Sequence, residues 1–161
     1  MRATRKTKKG LFERANEQWE AGHVRSAFRL FLAAAKAGDS GAQVDLGNFY
    51  LDGIGVNPNR DAALHWYRRA YREGDPAGAN NIGVLYRNEN QFARAVKWLE
   101  RAIKLGDPDA HLEIAKIHLR PNGDREKAIH HLKRLLAYKR DRVTEAYRHE
   151  GRLLLQRLKL K

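Results

Sequence analysis

The side chains with the widest chemical repertoire in this 161-residue chain are its seven histidines, because cysteine is absent. His111 and His118 stand seven residues apart, which puts them on one face of a helix, whereas His130 and His131 are adjacent and diverge. A zinc site asks for three or four convergent ligands, and here no thiolate can be one of them. His118 and His131 also occupy positions that aromatic residues fill in other copies of an internal repeat, so packing accounts for them better than ligation. Serine occurs only at Ser26 and Ser40, neither within a GxSxG elbow. No phosphate-cradling GxxxxGK(S/T) loop is present. Gly53-Ile54-Gly55 opens like the dinucleotide-binding GxGxxG, but residue 58 is proline and no strand precedes it, so the segment reads as a turn. These residues therefore predict no catalytic group, no metal site and no cofactor. The lack of cysteine rules out disulfides and fits a reducing compartment.

The elements that would position any such residues are helices. The chain is 42% hydrophobic and 32% charged, rich in Ala, Leu, Arg, Lys and Glu, a mixture that favours helix over sheet. Its organisation shows in a repeated Gly-Asp pair at Gly38-Asp39, Gly74-Asp75 and Gly106-Asp107. Before the second pair stand Ala63, Trp66, Tyr67 and Ala70; before the third stand Ala95, Trp98, Leu99 and Ala102. After the pairs, Leu46, Gly47 and Tyr50 correspond to Ile82, Gly83 and Tyr86, then to Ile114, Ala115 and His118. Spacings of three and four place each set on one helical face. The small residue at Gly47 admits a neighbouring helix closely, and Trp66 and Tyr67 read as core.

On these residues the chain resembles the Sel-one-like repeat family, which is related to the tetratricopeptide repeat. One copy displays the pattern through Ala42, Leu46-Gly47, Tyr50, Gly53, Gly55-Val56, Ala63, Trp66-Tyr67, Ala70 and Gly74; the next copy shortens its connection to Asn88-Glu89-Asn90 and looks like a tetratricopeptide unit. The resemblance spans residues 11–139. It implies an all-α, right-handed solenoid of about four antiparallel helix pairs, closed by a C-terminal capping helix. Glycines and the N-cap candidate Asn59 predict helices near 11–21, 24–37, 41–52, 59–73, 77–88, 90–105, 109–119 and 124–138. A last helix near 142–159 would place Val143, Tyr147, Leu154 and Leu158 on one stripe, capping the solenoid end. Three regions follow: a basic tail at 1–10, the repeats at 11–139, and a basic cap at 140–161.

In tetratricopeptide-like solenoids the first helix of each pair lines a concave groove. Carried over by register, the groove holds Glu13 and Glu17; Val44, Asn48 and Leu51; Asn80, Val84 and Arg87 with Asn81 at the rim; and Leu112, Lys116 and Leu119. Amides there would hydrogen-bond a peptide. The function so implied is a non-catalytic scaffold or adaptor for a protein partner of acidic character; related proteins serve as adaptors, regulators of secretion or signalling, and in some bacteria immunity proteins for secreted toxins. A different reading starts from the net charge of +13. Residues 1–10 supply +5 of it and residues 133–161 supply +7, leaving a nearly balanced body. Through Arg2, Arg5, Lys6, Lys8, Lys9, Lys139, Arg140, Arg142, Arg157, Lys159 and Lys161, such ends would attract a nucleic-acid backbone. Leu155 and Leu160 look surplus to the capping stripe, which suggests that residues 153–161 dock a partner or a membrane surface, in a monomer or a weak homodimer. The N-terminus lacks the apolar run of a signal peptide, and no apolar stretch is long enough to span a bilayer, so a cytoplasmic location is expected.

Overall fold

The structure is a computed structural model that describes residues 5–159. Among these residues are nine α-helices and no strand: α1 (Arg5–Glu20), α2 (Val24–Lys36), α3 (Ser40–Asp52), α4 (Arg60–Arg72), α5 (Pro76–Asn88), α6 (Phe92–Lys104), α7 (Ala110–His118), α8 (Arg125–Ala137) and α9 (Glu145–Lys159). A 3-10 turn at Arg140–Arg142 precedes α9. The fold is thus of the all-α repeat class, with four helix pairs followed by a ninth helix. Two boundaries differ from the expectation. The first helix starts at Arg5 and takes in residues 5–10 of the expected tail. The last starts at Glu145, because the 3-10 turn and the extended Val143 take up the preceding residues.

Each Gly-Asp pair performs two jobs at one corner. Gly38, Gly74 and Gly106 adopt φ of 91°, 88° and 98°, the left-handed conformation that ends a second helix. The following aspartate then turns its carboxylate onto the backbone N–H groups that open the next helix. Asp39 Oδ1 accepts from Ala42 N at 2.8 Å, Asp75 Oδ1 from Ala77 N at 3.0 Å, and Asp107 Oδ1 from Asp109 N at 2.9 Å. Asn59 caps α4 as expected, accepting from Ala62 N at 2.9 Å.

The chain divides into two compact units, residues 1–79 and 80–161. In the first, α1 to α4 pack in sequence order around Ala27, Phe31, Ala34, Leu46, Phe49 and Trp66. Small alanines let the backbones approach while aromatic rings fill the gaps: Phe31 and Phe49 lie 5.2 Å apart, and Trp19 meets Phe49 edge-on at 5.2 Å. A Cβ on Gly47 would collide with the Tyr67 ring, which is why the repeat has glycine there. The second unit uses the same device, with Gly83 against Leu99. Its terminal core joins Leu112, Ala115, Leu132, Leu135 and Val143, with Tyr147, Leu154, Leu155 and Leu158 packed against it. Leu155 is therefore part of the cap and not surplus to it. Residues 154, 155 and 158 fall within about 100° of one another on a helix, and α9 turns that whole arc inward. Leu153, 43% exposed, is the leucine left outside. Leu160 lies outside the described residues.

Candidate protein-interaction surface

In the first unit, α3 holds the three residues assigned to the groove. Val44 is half-buried and Leu51 is 39% exposed. Asn48 is engaged internally: its Oδ1 accepts a 2.7 Å hydrogen bond from the Tyr67 hydroxyl on α4. Between them sits Asp45, whose carboxyl is pushed up to about 6 by burial first and then by the nearby charges of Asp39 and Asp75. Burial also raises the Tyr67 hydroxyl, aided by Asp52 and Asp45, so it remains a donor to Asn48. On α1, Glu13 and Glu17 are exposed.

In the second unit, Asn80, Asn81 and Val84 are half-buried on α5. Asn80 Oδ1 is enclosed and accepts no hydrogen bond from the described residues. Arg87 has a different fate. It forms an ion pair with Glu113 of α7, a residue only 3% exposed. Glu113 also pairs with Lys116 at 3.3 Å, and Lys116 with Glu150 of α9 at 3.1 Å. The Lys116 ammonium lies 5.7 Å from the centre of the Tyr147 ring. Leu112 is fully buried in the terminal core. So α9 covers the part of α7 that the register assigned to a partner. Leu112, Lys116 and Arg87 serve the protein's own cohesion, because the terminal helix pair needs a cover and a buried Glu113 needs compensating charge. Leu119 is half-buried.

Sequence reasoning also missed a group of imidazoles between α7 and α8. His111 Nδ1 and His131 Nδ1 approach to 2.9 Å, which requires one neutral ring to donate and the other to accept. Burial lowers both to about 4. For His111 the charges of His131, Arg134 and His130 add to the effect; for His131 those of His130 and His118 do. Among the described residues, no three His, Asp or Glu side chains are placed to hold a metal ion. Of the basic ends, Lys139, Arg142 and Arg157 are exposed, and the Arg142 guanidinium donates to Gly106 O at 3.3 Å. Arg2 and Lys161 lie outside the described residues, as do the side chains of Arg5, Lys6, Lys8, Lys9, Arg140 and Lys159. Among the described residues no helix is long and apolar enough to cross a membrane.

Known proteins match this chain in sequence and in fold. Residues 24–39 and 40–75 match the Sel1 repeat, and residues 78–105 match the tetratricopeptide repeat. An F-box protein of Arabidopsis thaliana is 31% identical over 91 residues, which cover 55% of this chain and 25% of that protein. Among solved structures, a Sel1 repeat protein from Oxalobacter formigenes superposes with a TM-score of 0.69 at 22% identity, covering 82% of this chain and 60% of that one. A protective antigen of uropathogenic Escherichia coli with the same repeat fold gives 0.68 at 22% identity, covering 81% and 30% respectively. The chain therefore spans a quarter to three-fifths of the length of these relatives, and the likeness to the solved structures is one of fold.

Proposed function

Segments of the chain match the Sel1 and tetratricopeptide repeats, and from that premise we propose that it is a non-catalytic scaffold that binds a protein partner through its first helices. In repeat folds of this kind the helices at equivalent positions of successive repeats are the usual binding elements. The observation that supports the reading is apolar surface left open on these helices: Leu51 is 39% exposed, and Val44 and Val84 are half-buried. In the first unit Val44 and Leu51 would give a partner apolar contact, and in the second unit Val84 would do so. Arg87 and Lys116 contribute by holding the second unit together and are not contact residues in this reading.

The test uses the paired variants Leu51→Asp and Val84→Asp, which alter the surface without touching the Asn48–Tyr67 bond or the Glu113 ion pairs. Wild-type protein should retain one stoichiometric protein from its native lysate after nuclease treatment and at moderate salt. The paired variants should lose that protein while circular dichroism remains unchanged. Undiminished capture by both variants would remove the first helices from the binding surface.

A further inference from the structure

The positive charge is segregated by helix, and it favours the second helix of every pair. Helix α2 carries Arg25, Arg29 and Lys36 and no acid. Helix α4 sets four arginines against Asp61. Helix α6 sets Arg94, Lys97, Arg101 and Lys104 against Glu100. Helix α8 sets Arg125, Lys127, Lys133 and Arg134 against Glu126. Each of the four thus has a net charge of +3, whereas α1 carries +2, α3 −2, α5 +1 and α7 none. All the cations on α2, α4, α6 and α8 are exposed except Arg69, which is half-exposed beside Trp66. Among the described residues, Arg68, Arg72, Lys97, Lys104, Lys133 and Arg134 have no carboxylate within ion-pair distance. Loop acids at the helix ends offset part of this charge, and Asp39, Asp75, Asp107 and Asp124 among them are held there by backbone N–H groups.

The second unit adds a cleft to this charge. A cavity of about 760 Å³ opens between α6, α7 and α8. Its walls include Phe92, Val96 and Ile117, with Lys97, Lys127 and His131 among the polar residues that line it. The Arg120 guanidinium lies over the Phe92 ring. Glu100 and Asp124 are the acids in the lining; Asp124 is bound to Lys127 at 3.0 Å and caps α8.

We propose that in the second unit the exposed faces of α6 and α8 bind single-stranded nucleic acid, their cations meeting phosphates and the α6–α8 cleft taking a base. Three observations select this occupant. Two cationic helices, each of net charge +3, on either side of one cleft suit a strand with repeated phosphate charge better than a folded acidic protein. An anionic membrane would call for large apolar residues on the same faces, and the exposed ones among the described residues, Trp19, Leu51, Leu105 and Leu153, all lie off α2, α4, α6 and α8. An apolar-walled cleft with cations around it fits an unstacked base, which a duplex does not present. This surface is independent of the first-helix face assigned to a protein partner.

The experiment measures fluorescence anisotropy of a labelled single strand of about 15 nucleotides, titrated with full-length protein from about 50 to 200 mM salt. Three further probes are the matching duplex, a strand of the same length made abasic, and a polyglutamate peptide. The key variant combines Lys97→Gln, Arg101→Gln, Lys104→Gln, Lys133→Gln and Arg134→Gln; a control combines Arg5→Gln, Lys6→Gln, Lys8→Gln and Lys9→Gln. The single strand should bind in a salt-dependent manner. If each of the five cations meets one phosphate, the key variant should flatten the log–log salt slope by roughly 3 to 4 and weaken binding at least about tenfold at low salt. The control should bind like the wild type, and the abasic strand and duplex should bind more weakly than the intact strand. Circular dichroism checks that the key variant folds. Undiminished binding by a folded key variant, loss confined to the terminal control, or no binding of the strand would each overturn the proposal. So would polyglutamate competing as well as the strand, which would point to an acidic protein. An abasic strand that binds as well as the intact one would overturn the base-binding cleft.

Discussion

Tyr67 ties together several residues that look unrelated in the chain. Its ring fills the space that glycine leaves at position 47, and its hydroxyl holds Asn48. Gly47→Ala should therefore cost about 2–3 kcal/mol in urea unfolding, because the methyl group displaces a buried ring that has nowhere to go. Asp45, on the same helix, acts against the fold. Its folded-state value of about 6 stands above the ordinary 3.8. The folded protein thus keeps a proton that the unfolded chain has already released. Stability is greatest below pH 4 on this account, falls as pH rises to about 6, and is level above that. Asp45→Asn should raise stability by about 1 kcal/mol at pH 7, a figure reduced from the full shift because the side chain remains partly hydrated. No gain is expected near pH 3. An equal gain at both pH values would mean that charge is not the cause.

At the scale of elements, the C-terminal helix is secured by a residue that its hydrophobic pattern does not reveal. Arg148 is 7% exposed and donates to three carbonyl oxygens at the end of α8: Leu136 O at 3.2 Å, Tyr138 O at 2.8 Å and Lys139 O at 3.0 Å. These carbonyls have no partners within α8 itself, since a helix end leaves its last acceptors open. Arg148→Ala should destabilise the protein by about 2–4 kcal/mol, and Arg148→Lys should recover little, because a single ammonium lacks the span of the guanidinium fork. Hydrogen exchange would locate the loss in α9 and the end of α8. Full rescue by lysine would reduce the role of Arg148 to bulk charge.

For the whole molecule, a net charge of +13, with +3 on each of four helices, opposes compaction. Raising salt from about 0.05 to 0.5 M should screen this repulsion and lift the thermal midpoint by roughly 2–4 °C. A falling midpoint would mean that the ion network of Arg87, Glu113, Lys116 and Glu150 contributes more than the repulsion removes. The charge also illustrates what a linear reading conceals. Summed along the chain, the body appears neutral and the ends cationic. Assigned to helices, the body separates into second helices of +3 each and first helices of lower charge, from −2 on α3 to +2 on α1, with aspartates at the corners.

Helix number, order and class were legible in the residues alone, because three- and four-residue spacing, turn glycines and the Asn59 cap are local properties that tertiary contacts here reinforce. The close approach at Gly47 and the core roles of Trp66 and Tyr67 were legible for the same reason. The fate of the groove was not. Register places Leu112, Lys116 and Arg87 on the exposed face of their helices, but exposure is decided by what lies opposite. Here α9, distant in sequence, brings Tyr147 and Glu150 against that face, and a buried Glu113 draws in the cations. The inward turn of Leu155, the His111–His131 contact and the cleft between α6 and α8 likewise exist only once separate helices have packed. A repeat pattern determines which face each helix offers; long-range packing determines which of those faces remains open.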